Sequence, residues 1–401
     1  MRVGIYPQSL YVYGGGEKYI GKIAEILSTE NNVEFIVTEI KTEYGRMGKL
    51  YRVGESDFGQ MKSRFNIDLS RVSINKIRDF DSLLPKNMPR LAKWISSKVS
   101  EEIKEIIDDY MVSRCTREYD LFINQEHVTF IRPHSRRSIL VCEVPPVKRP
   151  IHYKTLSRLL LDLTGKTYDT IVVNSHFTKK WAEKYYRKKA TILYPPIDTQ
   201  SFVPSAKEHI ILSVGRFSTV LHSKKQLEMI RTFKKLYTNQ ELKGWEYHLV
   251  GALGGDPNDK EYFSECKKES EGYPVCFHVN APFDVLKELY GKSKTFWHAT
   301  GLGENESSHP ELMEHFGMTT VEAMSAGCVP VVINKGGQPE IVKDESNGFL
   351  FENEKELAEY TLRLLKDEAL WRKMSESCIR RSQEFSLEYF ELRLKEILQL
   401  S

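Results

Sequence analysis

The sequence predicts an α/β protein of two Rossmann-like parallel-sheet domains facing each other across a cleft. Three observations predict it. Apolar, β-branched runs alternate with amphipathic segments through both halves of the chain. The 401 residues exceed what one ordinary core accommodates. Pro195-Pro196 and the polar stretch TQSFVPSAKEH separate the halves.

The elements follow in order. RVGIY (2–6) reads as a strand, and GEKYIGKIAEIL (16–27) as a helix with Ile20, Ile23, Ala24 and Leu27 on one face. VEFIVTE (33–39) is a strand. Residues 40–90 are polar, aromatic and without a clear period, whereas 89–111 read as one long helix. DLFINQ, SILVCEV and TIVVNS are strands, and FTKKWAEKYYRKK is a helix. TILYPPID closes a first domain at residue 198, and a linker covers 199–208. In the second domain, 209–380, HIILSVGRF, EYHLVGA, VCFHVNA, KTFWHAT, CVPVVI and GFLF are strands. KKQLEMIRTFKKLY, DKEYFSECKKES and PFDVLKELYGKS are helices between them. KELAEYTLRLLKDEALWRKMSES and LEYFELRLKEILQL close the chain as helices.

Composition narrows the function. A content of 40% hydrophobic and 28% charged residues is that of a soluble globular protein. No apolar run approaches the roughly 18 residues that span a bilayer. MRVGIYPQSL carries no leader pattern, so a cytoplasmic location is expected. The six cysteines form no C-x-x-C pair and read as reduced thiols, neither a disulfide framework nor a zinc site. Residues 1–200 hold 33 Lys+Arg against 24 Asp+Glu, and the remainder 25 against 31. A basic half suits an anionic partner, and chance variation in a solvated surface fits as well.

Three stretches carry chemistry. In YGGGEKYIGKIAEIL, Gly14 to Gly16 open a helix, where bare N–H groups and a positive dipole end suit a phosphate. Neither G-x-G-x-x-G nor G-x-x-x-x-G-K-[ST] is present, and a plain tight turn also explains three glycines. In VGRFSTVLHSKKQLEMI, Arg216 follows a strand at its C-terminal end, where open α/β sheets bind ligands. Lys224 and Lys225 open the next helix against its dipole, which calls for a compensating anion. A guanidinium fork and an ammonium suit a diphosphate. Lys225 reads as an ordinary surface cation. In EHFGMTTVEAMSAG, Thr319-x-x-Glu322 fits a capping box, which leaves Glu314 and Gly317 unexplained. Two carboxylates beside a helix N-terminus suit a sugar on a diphosphate.

SVGRF…HSKKQ, HFGMTTVEAMSAGCVPVVINKGGQPEIV and NGFLF together resemble family 4 of the glycosyltransferases, which have the GT-B fold. The resemblance covers most of the chain and is weakest from 40 to 120. It implies that Arg216 and Lys224 bind the donor diphosphate and Glu322 the ribose hydroxyls. It places Glu314 on the transferred sugar, with the backbone of Phe316, Gly317 and Met318. Gly15 and Gly16 would close over the phosphates, and residues 381–401 would pack back on the first domain. It implies retention of configuration by front-face attack, with Arg216, Lys224 and Glu314 as the catalytic set. Neither a metal nor a cofactor is implied. The donor would be a UDP- or GDP-sugar of mannose or glucose type, and the acceptor a glycan, a lipid-linked or a protein-linked group. A non-catalytic binding subunit or a nucleotide-sugar isomerase of the same fold are the alternatives.

One departure stands out. Many relatives carry a histidine where this chain has CEVPP, so Glu143, or His127 in NQEHVTF, would orient the sugar or the acceptor. Each fits equally as a satisfied strand-end residue. Asp79-Phe80-Asp81 lacks strand context and reads as a solvated turn. His298, at the end of a strand, fits packing or the site. KKWAEKYYRKK interleaves bases with Trp181, Tyr185 and Tyr186, either a peripheral membrane face or an amphipathic helix facing the core. No feature indicates nucleic acid. The base, sugar, acceptor, linkage and oligomeric state are not legible.

Overall fold

The structure, a computed structural model, describes residues 1–7, 14–38, 55–78, 101–126, 129–146, 164–219 and 223–399. Two compact units divide it: residues 1–174 with 178–193, and 175–177 with 194–401. The division falls a few residues before the expected linker, and the closing helix Leu387–Leu398 groups with the second unit.

The first unit holds seven strands: β1 (Arg2–Tyr6), β2 (Asn32–Thr38), β3 (Val72–Ile77), β4 (Leu121–Asn124), β5 (Arg137–Cys142), β6 (Thr170–Val173) and β7 (Ala190–Ile192). Their order is β3-β2-β1-β4-β5-β6-β7, and every pairing is parallel. Such strands are buried on both faces, which is why they read as continuous apolar runs. Part of the stretch without a clear period folds: Glu55–Phe65 is a helix, and β3 is the edge strand, half exposed along its length. The helix read over 89–111 is described only from Glu101, and it runs to Cys115. Its earlier part lies outside the described residues, as do His127 and Asp79-Phe80-Asp81.

The second unit holds β8 (Glu208–Val214), β9 (Glu246–Gly251), β10 (Val275–Val279), β11 (Ser293–His298), β12 (Val329–Ile333) and β13 (Phe349–Phe351). The order is β10-β9-β8-β11-β12-β13, again all parallel. Its core runs from Phe217, Phe233 and Tyr247 through Trp297 to the fully buried β12. The segment read as one helix from Lys355 breaks in two. Asp367 leaves helical backbone, and its side chain accepts from Leu370 N–H as the cap of Glu368–Ser382. An aspartate is a good N-cap and a poor interior residue, so the break has a local cause.

The six cysteines are free thiols, with Cys142, Cys266, Cys328 and Cys378 buried. The helix His176–Tyr186 turns Ala182 and Tyr186 into the core of the first unit, as an amphipathic helix should. Trp181 lies instead under the ammonium groups of Lys180 and Lys184. Among the described residues, no helix is long and apolar enough to cross a membrane.

Candidate donor site

In each sheet the strand order reverses once: between β1 and β4 in the first unit, and between β8 and β11 in the second. Open α/β sheets bind ligands beyond the strand ends at such a point. In the second unit β8 delivers Gly215-Arg216, and β11 ends on His298. Gly215 and Gly251 approach closely: a Cβ on Gly251 would lie 2.1 Å from Gly215 O. The stem of Lys224 lies over Gly215, 2.7 Å from where that residue's Cβ would stand.

Lys224 Nζ donates to Glu314 Oε2 over 2.6 Å. His298 Nε2 lies 2.9 Å from the same oxygen, out of line for a hydrogen bond. Burial pushes the His298 imidazole below its ordinary range, against the pull of Glu314. A neutral imidazole, a carboxylate and an ammonium therefore converge. Among the described residues no carboxylate pairs with Arg216. Its carbonyl and that of Gly215 are held by Gln226 Nε2.

The helix Met318–Ser325 begins at Gly317, whose φ of +117° is open only to glycine. Gly317 offers no side-chain cap to the first N–H groups of the helix. This corrects the capping-box reading. Thr319 is the second helical residue rather than the cap, and Glu322 lies a turn further in. The glycine at 317 moved the helix start two residues earlier than the threonine suggested. Glu322 is buried, and its Oε2 accepts from Tyr290 Oη over 3.1 Å. Gln338, fully buried, accepts from Thr320 Oγ1, while its Nε2 stands beside Gly317 without a partner among the described residues.

The Gly336-Gly337 turn supports the Glu314 loop. Gly337 N–H donates to Glu314 O over 2.8 Å, and Gly336 N–H to Glu306 Oε2 over 3.0 Å. A Cβ on Gly337 would lie 2.5 Å from Phe316 Cα. Lys225 also corrects its reading. It stands in left-handed backbone just before the helix Gln226–Thr238, and its mostly buried ammonium pairs with Glu304 over 2.8 Å. It is a structural cation on the site's rim.

The structure brings Lys224, Glu314 and His298 together, with Arg216 after β8 and Gly317 at the start of the helix. Sequence reasoning had left His298 undecided and had not singled out Gln338, Tyr290 or Glu306, which contact this region. The one available signal was Gln338 directly after the glycine pair.

The first unit has its own cluster at its switch point. Gly15 and Gly16 open the helix Gly15–Ser28, and Glu17 Oε2 accepts from Gly14 N–H. Gln125 Nε2 donates to Gly16 O over 2.9 Å and to Glu143 Oε1 over 2.6 Å. Glu143 follows β5, half-buried. Burial, opposed by Gln125 and aided by Glu17, raises its carboxyl to about 7.

The sign of that shift gives a prediction. The fold favours the protonated acid, so stability is lost as pH rises from the unfolded value near 4.5 through about 7, and is flat above. The loss is on the order of 3 kcal/mol. Glu143→Gln is expected to flatten that part of the thermal-stability profile and to melt higher than wild type at pH 8. Identical profiles for the two proteins would remove the buried titration.

Residues 196–385 match the family Glycosyl transferases group 1. A Xenopus laevis GDP-Man:Man(3)GlcNAc(2)-PP-Dol alpha-1,2-mannosyltransferase is 30% identical over 213 residues, 49% of this chain and 41% of that protein. The human alpha-1,3/1,6-mannosyltransferase ALG2 is 26% identical over 289 residues, covering 65% of this chain and 64% of that one. The chain thus spans less than two thirds of either relative. Among solved structures, Anabaena HepE in complex with UDP and glucose superposes with a TM-score of 0.66, at 16% identity, over 100% of this chain and 99% of that one. At that identity the likeness establishes fold. Residues 196–385 of this chain are similar to the group 1 glycosyl transferases, and its two parallel-sheet units have the GT-B fold that the family 4 resemblance implies.

Proposed function

We propose that this chain is a retaining hexosyltransferase that moves mannose or glucose from a GDP- or UDP-sugar to a glycan or lipid-linked acceptor. The observation that carries the reading is the convergence of Lys224, Glu314 and His298, with Arg216, at the switch point of the second unit. Arg216 and Lys224 hold the diphosphate, and the helix that starts at Gly317 without a side-chain cap adds its positive end. Glu314 takes a sugar hydroxyl and Glu322 the ribose. The bond from the anomeric carbon to the β-phosphate oxygen breaks as the acceptor oxygen bonds to that carbon on the same face. The acceptor proton passes to the leaving diphosphate, whose charge Arg216 and Lys224 stabilise. No step needs a metal. Glu143, with Gln125, is the acceptor-side element.

Relatives named for GDP-mannose make that donor the first choice, and a lipid-linked acceptor suits the basic first half, which would meet the membrane surface peripherally.

The test is thermal stability with GDP, UDP and ADP, each measured against an EDTA-treated control. A ligand at 100 times its Kd adds about 2.7 kcal/mol. An upward shift with GDP that survives EDTA, followed by mannosyl transfer from GDP-mannose, is the expected result. No shift with any nucleotide would overturn the donor-site reading and put the non-catalytic subunit in its place.

A further inference from the structure

β10 is the edge strand of the second sheet, and its register on β9 sets His248 beside Cys276 and Val250 beside His278. Residues two apart share a face. Glu246, His248, Cys276 and His278 therefore all project from one side of this strand pair, while Tyr247 and Leu249 enter the core on the other. His248 Nε2 lies 2.8 Å from Glu246 Oε2, and His248 Nδ1 lies 3.1 Å from His278 Nε2. The two imidazoles stack at 5.1 Å. The donor atoms of Glu246, His248 and Cys276 all lie within 4.8 Å of one another.

We propose that Glu246, His248 and Cys276 bind one divalent cation of the zinc class, with His278 as the positioning residue. The donor set decides the class. A thiolate, an imidazole and a carboxylate are the three zinc ligand types, and sulfur and nitrogen select against magnesium and calcium. Tetrahedral zinc bonds place such donors roughly 3.4–3.6 Å apart. Glu246 therefore has to swing out by about 0.6 Å, which its exposed side chain allows. Metal on His248 Nε2 requires the ring proton on Nδ1, and His278 Nε2 is placed to accept it. Three protein ligands leave a fourth position for water.

The site stands at the start of β9 and β10, whereas Arg216 and His298 stand at the opposite, C-terminal ends of a wholly parallel sheet. It is remote from the donor site and independent of the reading above. Its effect would be to clip the edge strand to its neighbour. Cys276 lies 28 and 30 residues from His248 and Glu246, on a second strand, which is why cysteine spacing alone argued against zinc.

The chain stripped with chelator and titrated with Co2+ tests the proposal. One equivalent is expected to give a thiolate-to-cobalt charge-transfer band, displaced by Zn2+ and absent in Cys276→Ser. Glu246→Gln, at an exposed position, guards against a folding defect and is expected to weaken binding. His278→Ala is expected to keep the band and lose about 10–100-fold in affinity. Absence of the band in wild type, or its persistence in Cys276→Ser, would overturn the site.

Discussion

Lys224→Ala is expected to lower sugar transfer by about 10²–10³-fold, the cost of removing one charge-stabilising donor, with the fold retained. Lys224 is the only cation bonded to Glu314 among the described residues, at 2.6 Å, and both side chains are about 15% exposed. In the free enzyme the pair holds Glu314 in place beside His298. In the proposed transition state the same ammonium faces the leaving diphosphate, where its charge counts most because water is largely excluded. The loss should therefore fall mainly on kcat. Alanine also removes the ion pair between Lys224 and the Glu314 carboxylate, so the variant is expected to melt somewhat lower. Steady-state transfer assays beside thermal melts check this. A folded Lys224→Ala protein with undiminished kcat would remove Lys224 from the catalytic set.

Gly337→Ala carries the second large effect. The backbone there is ordinary, φ −81°, so strain in the chain itself is not the cause. Space is. A methyl would meet Phe316 Cα at 2.5 Å, His315 O at 2.6 Å and Phe316 O at 2.7 Å, all backbone atoms that cannot rotate away. Either the 314–317 loop or the 336–337 turn has to move, and the bond from Gly337 N–H to Glu314 O goes with it. Overpacking of this kind costs about 1–3 kcal/mol, and displacing catalytic groups by an ångström costs about 10²-fold in rate. Gly255→Ala, where a Cβ meets nothing within 4 Å, is the control. Equal melting temperatures and equal activities for the two variants would sink the argument.

Both effects act on a loop whose sequence had already been noticed, but the reasons differ in legibility. Glu314 and Lys224 are readable because each lies beside a strand or helix boundary that local periodicity locates. The support from Gly336-Gly337 was visible only as two glycines. What they touch, the backbone of residues 314 to 316, is some 20 residues away in sequence. His298 shows the same limit: a histidine ending an apolar strand has no local mark that tells packing from function. Only the fold places it 2.9 Å from Glu314. The cap of the helix Met318–Ser325 was misassigned for a related reason. Threonine and glycine both start helices, and what favours Gly317, a positive φ and a Cβ position only 2.5 Å from Gln338 Nε2, has no local mark in the sequence.

By itself the sequence determined two parallel-sheet units, the order of their strands and helices outside residues 40–90, and the loops that carry Arg216, Lys224, Glu314 and Gly317. These follow from hydrophobic period and from residue types at element ends, which are local. Tertiary structure alone decided the strand order and hence the switch points. It also decided that His298 faces Glu314, that Gln125 bridges Gly16 and Glu143, and that β9 and β10 align two histidines, a cysteine and a glutamate. These are contacts between residues far apart in the chain, fixed by which strands lie side by side, and no local pattern encodes them.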